Sequence, residues 1–578
     1  AHVMEIGEER LLAAVRNELG PQVERLCSPP LRLDDGSGPM SPLDPASLIG
    51  VPVAAFPRWM RCPYCSLLAP LGTGLFQLKV DPYRPDRTRY VHASCKKAGQ
   101  PPTVVPSRFL VACKAGHLDD FPWVEYVHHG ATFCGAPVIR IREFGVSGEA
   151  ADIQVECDTC KQTRRLSDAF GESAGNVLPR CRGRRPHLRD YAEAPCAEPL
   201  KTISLGASNS WFSLSLTALS IPQASNRLAQ LVDEHWTTLE KAVSREVLAA
   251  FKAIGQLRPF AAFSDDEVWT AIEAKRAGGD TAAEEDRVDL KAPEWAVFSC
   301  PDPSLNSNDF MLTAVGVPAP YGSLLSQVVL VERLREVRAL MGFTRLESPG
   351  DFGEQVEVPP EQRAPLSRRP PRWVPAAEVR GEGIFIQFDE AAVQSWCAEV
   401  DAKDREFFDA HRQWRSARRL PDPNQGYPGI RYLLLHTFSH ALMRQLSLEC
   451  GYAAASIRER IYSREPDLEG GPMAGILLYT AAPDSEGTLG GLVHLGAPER
   501  LGRHLAQALE QLQLCTSDPL CAEHHPLRDG VSLHGSACHA CLFSPETSCE
   551  RGNRYLDRSL LVRTFASQPH PYFSPGER

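Results

Sequence analysis

Several things are missing from this sequence, and each absence narrows what it can be. No apolar run reaches the roughly 18 residues that a membrane-spanning helix needs, so no transmembrane candidate is present. There is no GxxxxGKS or GxxxxGKT stretch, which removes the phosphate-cradling loop of a P-loop ATPase. HExxH does not occur, which removes the usual zinc-protease helix. No internal repeat or low-complexity tract is visible. Net basic charge is also lacking: the formal charge is −10, so any nucleic-acid contact must come from a local patch and not from the bulk field. Ala1, His2 and Val3 ahead of Met4 read as an added remnant, and no secretory leader pattern follows. The expectation is a cytoplasmic protein.

What is present is length, an ordinary core and an unusual number of thiols. The 578 residues are 43% apolar, enough for a large buried core and several domains, and 23% are charged. There are 18 cysteines. In a short secreted chain they would suggest disulfides. In a long chain with CxxC pairs they point to thiolate metal ligands in a reducing compartment.

The reading along the chain is mixed α and β (α+β), with zinc-ribbon modules plus a C-terminal mixed α/β domain carrying a four-cysteine zinc site. Residues 4–54 form an N-terminal helical segment, with Leu11, Leu12 and Val15 on one face. Residues 55–205 form a zinc-ribbon region with two zinc sites, rich in Cys, Pro and Arg, with short strands such as 76–80. Residues 206–345 read as mainly helical. Helical spacing runs through 224–254 (Leu228, Leu231, Val232, Trp236, Leu239, Val243, Val247). Ser264 and Glu267 make a capping box that opens a second helix. Val328 to Met341 is expected to be a third, ending at Gly342. Residues 346–375 are proline-rich and charged and are expected to be a linker. In 376–578, strands are expected at 383–388 and 475–480 and helices at 432–448 and 501–514.

Three thiol constellations carry the chemistry. Cys62-Pro63-Tyr64-Cys65 and His92-Ala93-Ser94-Cys95 are two knuckles joined by a loop, the zinc-ribbon arrangement that completes a tetrahedron of N and S ligands. Cys113 and His117, in CKAGH, are rivals for the place given to His92. Cys157 and Cys160 form another knuckle, completed by Cys181 and Cys196. Beside Cys181 runs a basic cluster, Arg180, Arg182, Arg184, Arg185 and Arg189, whose guanidinium forks suit phosphate, so DNA contact is assigned there. The third set is Cys538 and Cys541 with Cys549, and its fourth ligand comes from upstream, Cys521 in preference to Cys515. About three structural zincs are expected, each with four protein ligands and no open position. Cys27, Cys134, Cys300, Cys397 and Cys450 are left as buried apolar groups.

Catalytic signals are weaker. His436 and His440 stand one turn apart on one helix face. Asp484 and Glu486 lie in DSEGTLGG after the strand at 475–480. Together these four could hold a metal for a nuclease or phosphodiesterase. The simpler reading makes the histidines satisfied core groups, with no catalytic residue.

HTFSHALMRQL, CGY, GILLYTAAPDSEGTLGGL and CHACLFSPETSCERGN with YLDR resemble the helicase-associated domain of unknown function found at the C-terminus of some DNA-repair helicases. RFLVACKAGHLDDFPW, GRRPHL, LGASNSWFSLSLTALSIP and GFTRL extend the likeness over residues 55–562. Together they resemble the DrmB-like family of the bacterial DISARM anti-phage system. The resemblance implies a non-helicase subunit that works beside a DrmA-like helicase on phage DNA, with a cysteine zinc site at its C-terminus. A purely structural adaptor is the other non-enzymatic possibility. The spacing before Cys538 departs from the helicase pattern and leaves the first ligand open.

Overall fold

The structure is a computed structural model that describes residues 3–31, 49–130, 134–145, 149–222, 231–232, 235–253, 255, 257–260, 263–276, 288–352, 357–451, 453–480, 491–528, 532–565 and 570–573. The chain divides into two compact units. One comprises Ala1–Gly7, Glu18–Leu216 and Arg338–Ala377, the other Glu8–Asn17, Thr217–Val337 and Glu378–Arg578. Helix α1 (Glu9–Leu19) buries Leu11, Ala14 and Val15. Among the described residues, no helix is long and apolar enough to cross a membrane.

The first unit is built from short strands: β1 (Trp59–Arg61), β2 (Leu67–Pro70), β3 (Phe109–Ala112), β4 (Leu118–Asp120), β5 (Ile139–Glu143), β6 (Ile153–Cys157), β7 (Thr163–Arg165) and β8 (Lys201–Ser204). One sheet runs β7–β6–β5–β2–β1 with Val105–Pro106 at its edge, and another runs β8–β3–β4. Every pairing in them is antiparallel. Helix α2 (Trp123–Val127) packs Trp123 and Tyr126 into a core with Phe121, Ile139 and Val155. Strands of three to five residues bury little, so the unit needs local staples. The expected linker at 346–375 instead packs into this unit: Ala364 pairs with Phe343, and Val358 and Ala364 are buried.

The second unit is a layered α/β structure. Its sheet contains β9 (Phe212–Ser220), β10 (Leu325–Thr344), β11 (Trp373–Phe388), β12 (Ile457–Arg464) and β13 (Met473–Thr480), in the order β9–β10–β11–β13–β12. The chain passes between units within β9, β10 and β11. Side chains alternate between two buried faces. Ile384, Ile386, Ala474, Ile476 and Leu478 enter one core; Phe385, Met473, Leu477 and Tyr479 enter the other.

Between β9 and β10 lie α3 (Asp265–Arg276), where the capping box put a helix, and α4 (Lys291–Ser299), whose Phe298 fills the second core. Helices α5 (Glu390–Glu399), α6 (Asp401–Ala417), α7 (Gly429–Cys450) and α8 (Pro498–Gln513) cover the first core. Helix α7 is buried on every side from Ile430 to Met443 and stops at Gly451, whose φ of 69° is left-handed.

Two helical expectations differ from the structure. Residues 328–341 lie in strand β10. Val328 joins one core and Val329 and Val331 the other, and a strand buried on both faces reads as a continuous apolar run. A register shift opposite Val331 and Arg333 then breaks the period of two and leaves helix-like spacing in the sequence. The helix expected over 224–254 is broken among the described residues: Leu231 and Val232 are helical, and then Trp236–Leu239 and Arg245–Ala253, with Val243 exposed between the last two.

Candidate metal centres

Cys62 follows β1 and Cys65 precedes β2, so the β1–β2 hairpin presents both thiols on one tight turn. Ser66 takes φ 59° and its N–H donates to the Cys62 carbonyl, while the Cys62 N–H donates to Leu67 O. Across this turn stand His92 and Cys95. Cys65 Sγ is 3.5 Å from His92 Nδ1, and Cys62 Sγ is 3.8 Å from Cys95 Sγ. These four ligand atoms lie within 4.8 Å of one another. Burial pushes the Cys62 thiol up to about 11, a penalty on the bare thiolate that a bound cation offsets.

Cys157 and Cys160 repeat the same turn at the end of β6. Lys161 has φ 64° and donates to the Cys157 carbonyl, and the Cys157 N–H donates to Gln162 O. Their partners are not Cys181 and Cys196, as expected, but His128 and Cys134. Helix α2 ends at His128, whose Nδ1–H donates to Val124 O at 2.7 Å; this leaves Nε2 facing Cys160 Sγ at 3.3 Å and Cys134 Sγ at 3.5 Å. A carbonyl-anchored imidazole is the usual way a ligand histidine is oriented. Burial raises the Cys157 thiol, but the N–H groups of Cys160 and Thr159 outweigh it and bring it down to about 6.

Cys181 and Cys196 join Cys113 and His117, the residues weighed above as rivals for the first site. The β3–β4 turn is CKAGH, in which Gly116 takes φ 77° and a Cβ there would meet the Ala364 Cβ at 2.7 Å. Cys113 Sγ lies 3.4 Å from His117 Nδ1, 3.6 Å from Cys181 Sγ and 3.9 Å from Cys196 Sγ. The hydrogen bond with Cys113 is the chief reason that the Cys181 thiol falls to about 4, and the same contact pushes Cys113 up.

In the second unit, Cys515 just beyond α8 and Cys521 meet Cys538 and Cys541. The Cys515–Cys538, Cys521–Cys541 and Cys538–Cys541 sulfurs are each 3.6 Å apart. Both upstream cysteines are used. Cys549, expected to join Cys538 and Cys541, lies apart from them, with His436, His440 and Glu459. The hydrogen bond with Cys521 leads the fall of the Cys541 thiol to about 6. Where three sites were expected, the described residues assemble five groups able to hold a metal. Cys134 is drawn into one of them, while Cys27, Cys300, Cys397 and Cys450 stay outside. Asp484 and Glu486 lie outside the described residues.

The arginine cluster is not the free basic surface expected from the sequence. Arg182 donates to Asp119 Oδ2 at 2.6 Å, Arg184 to Asp119 and Asp120, and Arg185 to Asp190 at 2.8 Å. Arg189 Nη2 donates to the Val53 carbonyl. Arg180 is exposed. With Arg182 and Arg184 it lines a cleft of about 280 Å³ whose other walls include Trp59, Phe121 and Trp123.

Residues 2–212 match a domain of unknown function, DUF8724, and residues 438–542 match the MrfA Zn-binding domain. The DISARM protein DrmB of Bacillus paralicheniformis is 32% identical over 542 residues, covering 90% of this chain and 91% of that protein. The crystal structure of the DUF1998 helicase MrfA bound to DNA is 10% identical over 38% of this chain and 23% of the helicase. The TM-score is 0.17.

Proposed function

The chain belongs to the DrmB family of DISARM proteins, and from that premise we propose that it is a non-catalytic, zinc-binding accessory subunit of a cytoplasmic anti-phage complex, partnering a DrmA-like helicase and helping it engage foreign DNA. The observation that carries this reading is the donor chemistry of four groups: Cys62/Cys65/His92/Cys95, Cys113/His117/Cys181/Cys196, His128/Cys134/Cys157/Cys160 and Cys515/Cys521/Cys538/Cys541. Each supplies four soft or borderline ligands, the set that zinc takes in closed structural sites. A closed site leaves no position for an activated water, so these zincs brace the fold, three of them in the short-stranded unit, and do no chemistry.

DNA contact is the finer part of the proposal. Within the basic cluster it falls to Arg180 and the half-exposed Arg182 at the mouth of the Trp59–Trp123 cleft. A second reading, an adaptor that never touches DNA, is favoured by the carboxylates already paired with Arg182, Arg184 and Arg185.

The test is binding and cleavage of labelled duplex and single-stranded DNA, by the chain alone and then with its helicase. The expected result is no ATPase activity and no cleavage by the chain alone, and tighter DNA binding by the complex than by the helicase. Equal affinity with and without this subunit would leave the adaptor reading. Mg²⁺- or Mn²⁺-dependent cleavage that His440→Ala abolishes would replace both with an enzyme.

A further inference from the structure

His436 and His440 are wholly buried on α7. Strand β12 brings Glu459 against them, and the loop beyond Cys541 brings Cys549. One ligand atom from each of the four lies within 4.8 Å of the others.

The surroundings fix which atoms face the centre. His436 Nδ1–H donates to the Tyr555 carbonyl at 3.3 Å, and His440 Nδ1–H to the Leu542 carbonyl at 2.9 Å. Both Nε2 lone pairs therefore point inward. His436 Nε2 is 3.0 Å from Glu459 Oε1 and 3.2 Å from Cys549 Sγ, and His440 Nε2 is 3.5 Å from the same carboxylate oxygen. The anionic ligands are braced from outside as well. Cys549 Sγ accepts the N–H groups of Arg551 and Asn553, at 3.4 and 3.2 Å. Glu459 accepts from Ser439 Oγ at 2.6 Å and from the Glu550 N–H at 3.0 Å.

Protons alone do not complete this arrangement. A proton on His436 Nε2 can serve Glu459 and Cys549, but His440 Nε2 is buried with no hydrogen-bond partner. A buried nitrogen left unmade costs about 1–3 kcal/mol. A divalent cation at the centre uses all four atoms. Two neutral imidazoles, one carboxylate and one thiolate balance its charge, so no net charge is buried.

We propose that His436, His440, Glu459 and Cys549 bind a structural zinc ion, separate from the four-cysteine centre. The match to the MrfA Zn-binding domain ends at residue 542 and starts at 438, so it takes in the four-cysteine group and leaves out both His436 and Cys549. The mixed N, O and S donors suit zinc, which has no geometric preference of its own and accepts all three ligand types in a tetrahedron. The ion pins α7 and β12, near neighbours in sequence, to the distant C-terminal loop that carries Cys549. With every ligand from the protein and the centre buried, it has no open position for substrate. The two histidines are therefore ligands of a closed site and not a nuclease base. This inference does not rest on the accessory-subunit reading.

Zinc counting on the purified full chain tests it. The expected content is five equivalents, falling by one in His440→Asn, by one in Cys515→Ser, and by two in the double variant. If His440→Asn fails to fold, anomalous diffraction at the zinc edge from wild-type crystals decides without any variant. A peak between the four side chains supports the site. A map with a filled four-cysteine centre and nothing there overturns it, as does a zinc content that His440→Asn leaves unchanged in a folded chain.

Discussion

Arg184 Nη1 donates to Asp119 Oδ1 at 2.5 Å, with both side chains largely shielded from solvent. The same nitrogen reaches Asp120 Oδ2 at 2.8 Å, and Asp120 Oδ1 in turn accepts the backbone N–H groups of Arg58 and Trp59. Arg184 thus belongs to the frame that joins the β4 end to the start of β1. Arg184→Ala is expected to destabilise the first unit by about 1–3 kcal/mol, because it strips a charged donor from two buried carboxylates. Arg180→Ala should leave the melting curve in place. If the cleft meets phosphate, it should flatten the salt dependence of DNA binding by about one unit of slope. Equal melting for the two variants would show that the pairing holds nothing.

The regrouping in the first unit gives a second expectation. Cys134, in HHGATFC, has no CxxC neighbour, yet it sits 3.6 Å from Cys157 Sγ. Cys134→Ser should cost one zinc per chain, while Cys27→Ser, whose thiol is in none of the groups, should cost none. Native mass spectrometry reads the difference directly. Equal zinc content in the two variants would return Cys157 and Cys160 to some other partner.

How legible this was depended on whether the signal was local. The CPYC and CDTC knuckles announce themselves, because each is one turn with fixed donors. Their partners are set by which strands pair, and strand pairing is long-range. Cys181 is closer in sequence to Cys157 than to Cys113, yet the β3–β4 hairpin carries Cys113 and His117 to it. The spacing of CKAGH was visible; its destination was not. In the same way α7, a long apolar helix, was plain, whereas β10 was not, since burial of both faces erases alternation. Glu459 had no signal at all: an acidic residue in IRERIYSR becomes a candidate only once β12 is laid against His436.

Cys515 provides a third test. Its sulfur meets Cys538 at 3.6 Å, and Cys521 meets Cys541 at the same distance. Cys515→Ser and Cys521→Ser should therefore release the same single zinc and lower stability alike. Sequence proximity alone favoured Cys521 and a mild Cys515→Ser. A Cys515→Ser protein that keeps its full zinc content would restore that view.

Acid should strip these centres in a predictable sense. Bound zinc needs thiolates and neutral imidazoles, so protons compete with it, and affinity falls as pH falls. Zinc release, followed with a chromogenic chelator, should rise as pH drops below neutrality, and the first unit should lose its fold with it, having only short strands to hold it. The second unit, with its large two-sided core, should keep its secondary structure longer. Simultaneous loss of both at one pH would mean that the zinc-bearing frame and the large core unfold together.

The last prediction concerns a charge with no metal near it. Arg460 on β12 grips Glu294 on α4 with two bonds of 2.8 Å, and the two side chains are 8% and 0% exposed. Tyr462 donates its hydroxyl to the same carboxylate at 3.0 Å, and so does the Leu219 N–H from β9. One buried carboxylate thus ties a helix to two strands of the sheet. Removing one partner of such a pair leaves the other charge buried and alone, which costs about 3–5 kcal/mol. Glu294→Ala should therefore shift the urea midpoint strongly, read by the fluorescence of Trp295, which packs against Phe385 and Tyr462. Arg380→Ala is the control: its pair with Asp309 is 60% and 53% exposed, and such pairs contribute about 0–1 kcal/mol. Replacing both members, Glu294→Leu with Arg460→Met, should recover much of the loss, because no charge is then stranded. If Glu294→Ala costs no more than Arg380→Ala, the carboxylate does not hold α4 to the sheet, and the helix is held by apolar packing such as that of Phe298 on Phe310 and Phe385.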